Sequence, residues 1–207
     1  IKRINKLIME LLHFTRSPRP VFTDMDIKVL VKEIADLLSP QLKAQEIQFY
    51  QYFGQALPPL KADGDQLKQA LLNICLNGVQ AMPGGGELRV EVSLAAAEEP
   101  FDFSGSAAAD KKVIIRIKDT GTGISSRQKE RVFDPFFTTK SDGMGIGLSI
   151  SHKIITEHGG TLRFHSDRQG TVFEICLPAA SSSDPAEWLT GRFLGNRESR
   201  GKGEAAV

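Results

Sequence analysis

Cysteine is scarce: 207 residues hold two, Cys75 and Cys176, and neither lies in a CxxC or Cys/His ligand spacing. That excludes a disulfide framework and a thiolate zinc site, and both thiols, set inside apolar segments, are expected to be buried and reduced. An excess of either charge is lacking too. Lys and Arg number 26 against 25 Asp and Glu, a net +1, and no basic block stands out, so nucleic acid and anionic lipid are not expected partners. No apolar run approaches the roughly 20 residues of a membrane span, and the opening IKRINKLIMELLHF carries no signal-like cleavage site. A cytoplasmic location is expected. What remains is 41% hydrophobic residues, enough for one packed core domain plus extra segments.

Ile4, Leu7, Ile8, Leu11 and Leu12 fall at helical spacing, and SPRP at 17–20 ends that helix. With no cap before Ile1, it is expected to be the tail of a longer hairpin or coiled-coil helix. A second helix is predicted over 27–43, with Leu30, Ile34, Leu37 and Leu38 inward, and a strand over 47–52. A third helix begins near Asp63 or Asp65 and stops before Pro83. Strands over 87–94 and 113–118 flank the low-complexity loop AAAEEPFDFSGSAAADK. GLSISHKIITEHGG reads as a helix with Ile150, Ile154 and Ile155 on one face and Gly159 and Gly160 as its stop. Strands over 161–166 and 171–177 form a closing hairpin. The expected units are 1–20, the end of a dimerisation helix; 21–179, the main domain; and 180–207, a polar, glycine-rich tail or linker.

Three stretches carry chemistry. In DQLKQALLNICLNGVQAM, Gln66, Gln69, Asn73, Asn77 and Gln80 recur every three or four residues, a polar stripe on an otherwise apolar helix. Solvated faces usually carry Lys and Glu; neutral amides suit bonding a ligand or offering oxygen to a hard cation. DTGTGI follows a strand directly. Asp119 there can accept from an exocyclic amine, and Gly121 and Gly123 leave room for a flat ring, although an ordinary turn is the alternative. FDPFFTTKSDGMGIGLSIS sets Phe133, Phe136, Phe137 and Lys140 before Gly143, Gly145 and Gly147. A glycine loop feeding a helix N-terminus is a place for an anion, usually a phosphate.

In that order, the Asn-xxx-Asn helix, DxGxGI, FDPFFTTK, GxGxG, HGG and the closing GTVFEICLP strand resemble the ATP-binding catalytic domain of two-component sensor histidine kinases, within the GHKL ATPase superfamily. The resemblance runs from about residue 27 to 178, and FxPFFTTK is similar to the nitrogen-regulation and dicarboxylate-sensing subgroup. It implies an α/β two-layer sandwich, a mixed sheet on about three helices, with ATP and Mg2+ as cofactors beneath a mobile lid. By position it implies Asn77 as a magnesium ligand, assisted by Asn73. Asp119 would bind the adenine amine, Gly121 and Gly123 would shape its pocket, and Thr171 would complete that end by a hydroxyl or water-mediated bond. Lys140 would pair with a terminal phosphate, and Gly143, Gly145 and Gly147 would cradle the phosphates. Phe133, Phe136 and Phe137 are expected to anchor the lid, leaving 138–143 to move. Gyrase and MutL place a water-activating glutamate where this sequence has Asn73, so the resemblance implies a kinase with slow hydrolysis. Two departures stand out: Gly78 replaces the usual alanine, which is expected to loosen the helix, and SDRQGT carries fewer glycines than the usual last box.

An acceptor histidine followed at once by Glu or Asp is missing: the residues after the four histidines are Phe14, Lys153, Gly159 and Ser166. His13 resembles the end of a second hairpin helix, and His152, His158 and His165 are expected to be structural. The chain is therefore expected to need an upstream histidine-bearing dimerisation domain, a homodimer in the full-length protein, and a response-regulator receiver as the final acceptor. Two other functions stay open on the sequence, a GHKL-type ATPase and a nucleotide-binding docking module.

Overall fold

The computed structural model describes residues 19–95, 111–140 and 143–179. The expected helix over 1–15 with His13, most of the low-complexity loop, lid residues 141–142 and the tail from 180 lie outside the described residues. In chain order the elements are β1 (Thr23–Met25), α1 (Ile27–Ala44), β2 (Ile47–Phe53), β3 (Leu60–Ala62), α2 (Gly64–Gln80), β4 (Gly86–Leu94), β5 (Lys112–Asp119), α3 (Ser126–Lys129), α4 (Gly147–Glu157), β6 (Thr161–Asp167) and β7 (Gly170–Pro178).

Period-two burial builds the main sheet, ordered β2-β4-β5-β7-β6. Leu88, Val90 and Val92, then Val113, Ile115 and Ile117, then Phe173, Ile175 and Leu177 turn to one face and are buried there. On the other face Arg116 pairs with Glu174 at 2.7 Å. β2 runs parallel to β4 while the remaining pairings are antiparallel, giving the expected mixed sheet. A parallel pair needs a crossover. Here the crossover contains α2, and it is this connection that lays the amide-bearing helix on the sheet. α1 packs on α2 and β2, and α4 packs on α2 and β6, so the helices form a second layer over one face. β1 and β3 pair separately as a short antiparallel ribbon.

Capping and periodicity explain the helices. Asp26 Oδ1 accepts the Lys28 N–H at 2.8 Å and starts α1, an arrangement that contributes about 1 kcal/mol. Ile27, Leu30, Val31, Ile34, Leu38 and Leu42 then recur on its buried side, each full burial contributing about 1.5–3 kcal/mol. Leu37, expected inward, is 58% exposed: it precedes Leu38 by one residue, which turns it about 100° away from the stripe. At the start of α2, Asp63 Oδ1 accepts from the Gln66 N–H at 3.0 Å, while Oδ2 accepts from the Val21 N–H at 2.9 Å. The Asp63 N–H donates to His158 Nε2 at 3.0 Å, and the opposite ring nitrogen bonds Ile154 O at 2.8 Å. His158, buried beside the Phe22 ring, is a structural tie between the two helices, as expected.

The two thiols differ. Cys75 is free and buried, and desolvation pushes its pKa up to about 12, so it stays a protonated core residue. Cys176 is free but only half-buried, contrary to expectation, because it takes an outward position on β7 opposite Ile114 and Thr161. Among the described residues no helix is long and apolar enough to cross a membrane.

Candidate functional site

The site follows α2 from its middle to its C-terminal end. At its C-terminal end the strand register makes Leu88, Asp119, Thr171 and Ser166 successive direct partners across β4, β5, β7 and β6, all buried on the helix-covered face. Residues directly opposite on antiparallel strands share a face. Asp119 is only 4% exposed. Its Oδ1 accepts the N–H of Gly121 at 2.9 Å and of Thr171 at 3.2 Å. Burial raises its pKa above the ordinary 3.8, with those two hydrogen bonds opposing the rise. Gly78 lies against it: a Cβ there would come within 3.2 Å of Asp119 Cβ and 3.4 Å of Oδ2. Rather than loosening α2, this glycine lets the helix settle directly on β4 and β5. Gly121 abuts Ala81, and Gly123 has φ +73° with space for a Cβ only 1.8 Å from Asp167 O, so no other residue fits that position.

The other part of the site lies where α2 meets α4. Asn73 Nδ2 donates to Gly147 O at 3.2 Å, and Ser151 Oγ donates to Ala70 O at 3.1 Å. Ile146 offers no side-chain cap, which leaves the first amides of α4 beside Asn73 for water or a ligand. Gly145, with φ +67°, turns the chain where any Cβ would lie 2.3 Å from Phe137 O, and Gly143 sits against Thr138 Oγ1. Lys140 reaches back across the opening. Its Nζ donates to Asn77 Oδ1 at 2.9 Å and to Gln80 Oε1. Desolvation of that end lowers the lysine pKa, although the residue as a whole is exposed.

The three phenylalanines of the lid segment differ in their surroundings. Phe133 packs edge-on to Phe164 with ring centroids 5.7 Å apart and lies 5.1 Å from the His152 ring. Phe137 lies beneath the Arg131 guanidinium at 4.5 Å. Phe136 is more exposed than expected: a turn closed by the Phe137 N–H on Asp134 O gives it φ +67° and leaves it 61% exposed. Gln66 departs from the amide stripe and is buried in the first turn of α2. Gln80, read only as part of that stripe, is the amide that joins Asn77 on Lys140. Ser166 carried no sequence signal beyond being polar at an inward strand position.

The model of the family described as histidine kinase-, DNA gyrase B- and HSP90-like ATPase matches residues 62–181. The sensor histidine kinase ZraS of Escherichia coli is 33% identical over 177 residues, 85% of this chain and 35% of that protein. The chain thus spans about a third of the length of such a curated relative. Among solved structures, full-length ShkA in complex with AMPPNP superposes with a TM-score of 0.68 at 27% identity, over 87% of this chain and 36% of that one. ThkA in complex with the response regulator protein TrrA gives 0.67 at 26% identity, over 86% and 48%. With its mixed sheet, its helix layer and these matches, the chain belongs to the histidine kinase-, DNA gyrase B- and HSP90-like ATPase family.

Proposed function

We propose that this chain is the ATP-binding catalytic module of a two-component sensor histidine kinase. It delivers the γ-phosphoryl group of ATP to a histidine on a dimerisation domain, from which the group passes to an aspartate of a response-regulator receiver. The observation that carries this reading is Asn73, whose Nδ2 already donates to Gly147 O at 3.2 Å. An amide tied to α4 in this way has no basic lone pair with which to take a proton from water, so the phosphoryl group is kept for transfer, which depends on positioning and charge.

The remaining roles follow from chemistry along the second half of α2. Asp119, with Oδ1 occupied by Gly121 and Thr171, turns Oδ2 to the exocyclic amine of adenine. Gly78, Gly121 and Gly123 keep side chains away from the ring, and Thr171 adjoins Asp119 across the strand pair. The phosphates take the uncapped amides of α4 and the bare backbone of Gly143, Gly145 and Gly147, with Lys140 close by.

The residues fit magnesium. Asn77 Oδ1 and Gln80 Oε1 already converge on one cation, the Lys140 ammonium, and amide oxygens suit a hard divalent ion that also keeps waters and phosphate oxygens. Among the described residues no cluster of three or more His, Cys, Asp or Glu could hold a metal. When bound, such an ion offsets phosphate charge. Asn77 is its direct ligand in this reading, and Asn73 orients the α4 amides beside it. The AMPPNP held by ShkA and the TrrA bound to ThkA support the nucleotide and the response-regulator partner. A homodimer of the full-length protein belongs to the same reading.

Calorimetric titration with ATP, with and without magnesium, followed by assay of the sample for ADP, tests it. Magnesium-dependent binding with little ADP is expected. Steady turnover would identify an ATPase instead, and no binding would overturn the nucleotide site altogether.

A further inference from the structure

The polar row across the sheet holds a hydroxyl whose hydrogen bonds can be assigned completely. Ser166, 2% exposed, places its Oγ 2.7 Å from the Ile124 N–H, 3.1 Å from Gly170 O and 3.0 Å from Thr171 Oγ1. A hydroxyl has one proton to give and two lone pairs to offer. The Ile124 N–H can only donate, so it occupies one lone pair. Gly170 O can only accept, so it takes the single proton. The contact with Thr171 must then be received by the second lone pair, which means that Thr171 donates its own proton to Ser166. Thr171 Oγ1 is left with lone pairs alone, next to an Asp119 carboxylate that also only accepts.

We infer that Ser166 is a specificity-determining positioning residue: by taking the Thr171 proton it makes this end of the site acceptor-only, selecting a purine with a 6-amino group over one with a 6-oxo group. The inference rests on the adenine reading of Asp119 and Thr171 and adds the residue that orients the Thr171 hydroxyl. A 6-amino group, or a water donating from beside it, finds two acceptors in register. A 6-carbonyl meets two groups of the same polarity, and the unpaired oxygens that result disfavour it. Without Ser166, the Thr171 hydroxyl is free to rotate and to donate to that carbonyl.

The test is calorimetric titration of the chain with ATP and with inosine triphosphate, using wild type, Ser166→Ala, Thr171→Val and the double variant. Wild type should favour ATP, and Ser166→Ala should lower the ATP-to-ITP affinity ratio about fivefold. In the Thr171→Val background the same Ser166 change should move the ratio less than about twofold. A merely structural Ser166 would weaken both nucleotides together and leave the ratio fixed, which overturns the inference, as does a ratio change that persists without the Thr171 hydroxyl. Should Ser166→Ala fail to fold, Thr171→Val alone decides: it should weaken ATP and spare ITP, and an equal loss of ITP would show that Thr171 donates. A wild type that binds neither nucleotide defeats the adenine reading itself, whereas a wild type that prefers ATP with an unmoved ratio in Ser166→Ala defeats only the role of Ser166.

Discussion

Lys140 Nζ donates to Asn77 Oδ1 across 2.9 Å, although 63 residues separate the two in the chain. The contact fastens the segment after Phe137 to the helix that bears the amides, and it engages the oxygen proposed above as the magnesium ligand. A lysine so placed can exchange one partner for another when phosphate enters.

Lys140→Ala is therefore expected to weaken ATP about tenfold or more, the scale of a charge-assisted contact to phosphate, while adenosine binding stays the same. Hydrogen exchange at residues 137–140 should quicken, with global stability shifted by about 1 kcal/mol or less because exposed contacts contribute little. Parallel titrations with ATP and adenosine check the first part. An equal loss for both ligands would refute a phosphate role.

Asp119 should show itself in pH dependence. Its folded-state pKa lies above 3.8 because burial opposes the charge, so the folded protein holds this proton more tightly than the unfolded chain does. The corresponding stability is fully present below 3.8 and is lost as pH rises through the raised value. Asp119→Asn removes that loss. The nucleotide-free variant is expected to melt at or above wild type near neutral pH, with the gap closing towards about pH 4, and to lose its preference for ATP over GTP. Thermal melts across that range decide it; a wild type clearly more stable at neutrality would contradict desolvation as the dominant cause.

His158 makes a prediction about architecture rather than ligand. It receives the Asp63 N–H and bonds Ile154 O from within the core. His158→Ala leaves the Asp63 N–H without its partner, while Ile154 O keeps the backbone N–H of residue 158, and should destabilise the domain by about 1–3 kcal/mol, a fall in Tm of roughly 3 °C or more. ATP affinity measured well below the melting point should change less than about twofold. A stable variant with lost binding would instead assign this histidine to the site.

Much of this was readable in the sequence because local periodicity carries it. The stripes of α1 and α4 and the glycine-marked turns fixed their elements within a residue or so, and Asn73, Asn77 and Asp119 were visible through residue type and spacing. What stayed hidden depends on partners far along the chain. Asp119 meets Thr171 only through a pairing 52 residues apart, and nothing local to Ser166 announces that it completes the row. Errors arose where one residue of phase decides the environment. Leu37 and Cys176 each sit beside a buried neighbour and face the other way, and Phe136 is turned out by a positive φ that the FDPFF stretch gave no reason to expect.

The strand register also separates two rims of the domain. Leu88 faces Asp119 at one end of the β4–β5 pair, and Leu94 faces Val113 at the other, six residues and about 20 Å away. The Ala95 N–H closes that far end on Lys112 O at 2.8 Å. Ala95 and Lys111 accordingly lie at the end of the strand pair opposite Asp119 and the proposed nucleotide site, and the hydrogen-bonded strand ends there are already secured. For protein engineering this is a natural splice point: a fluorescent reporter or a new pair of chain termini joined at Ala95 and Lys111 would be carried by two strands whose far ends bear Leu88 and Asp119.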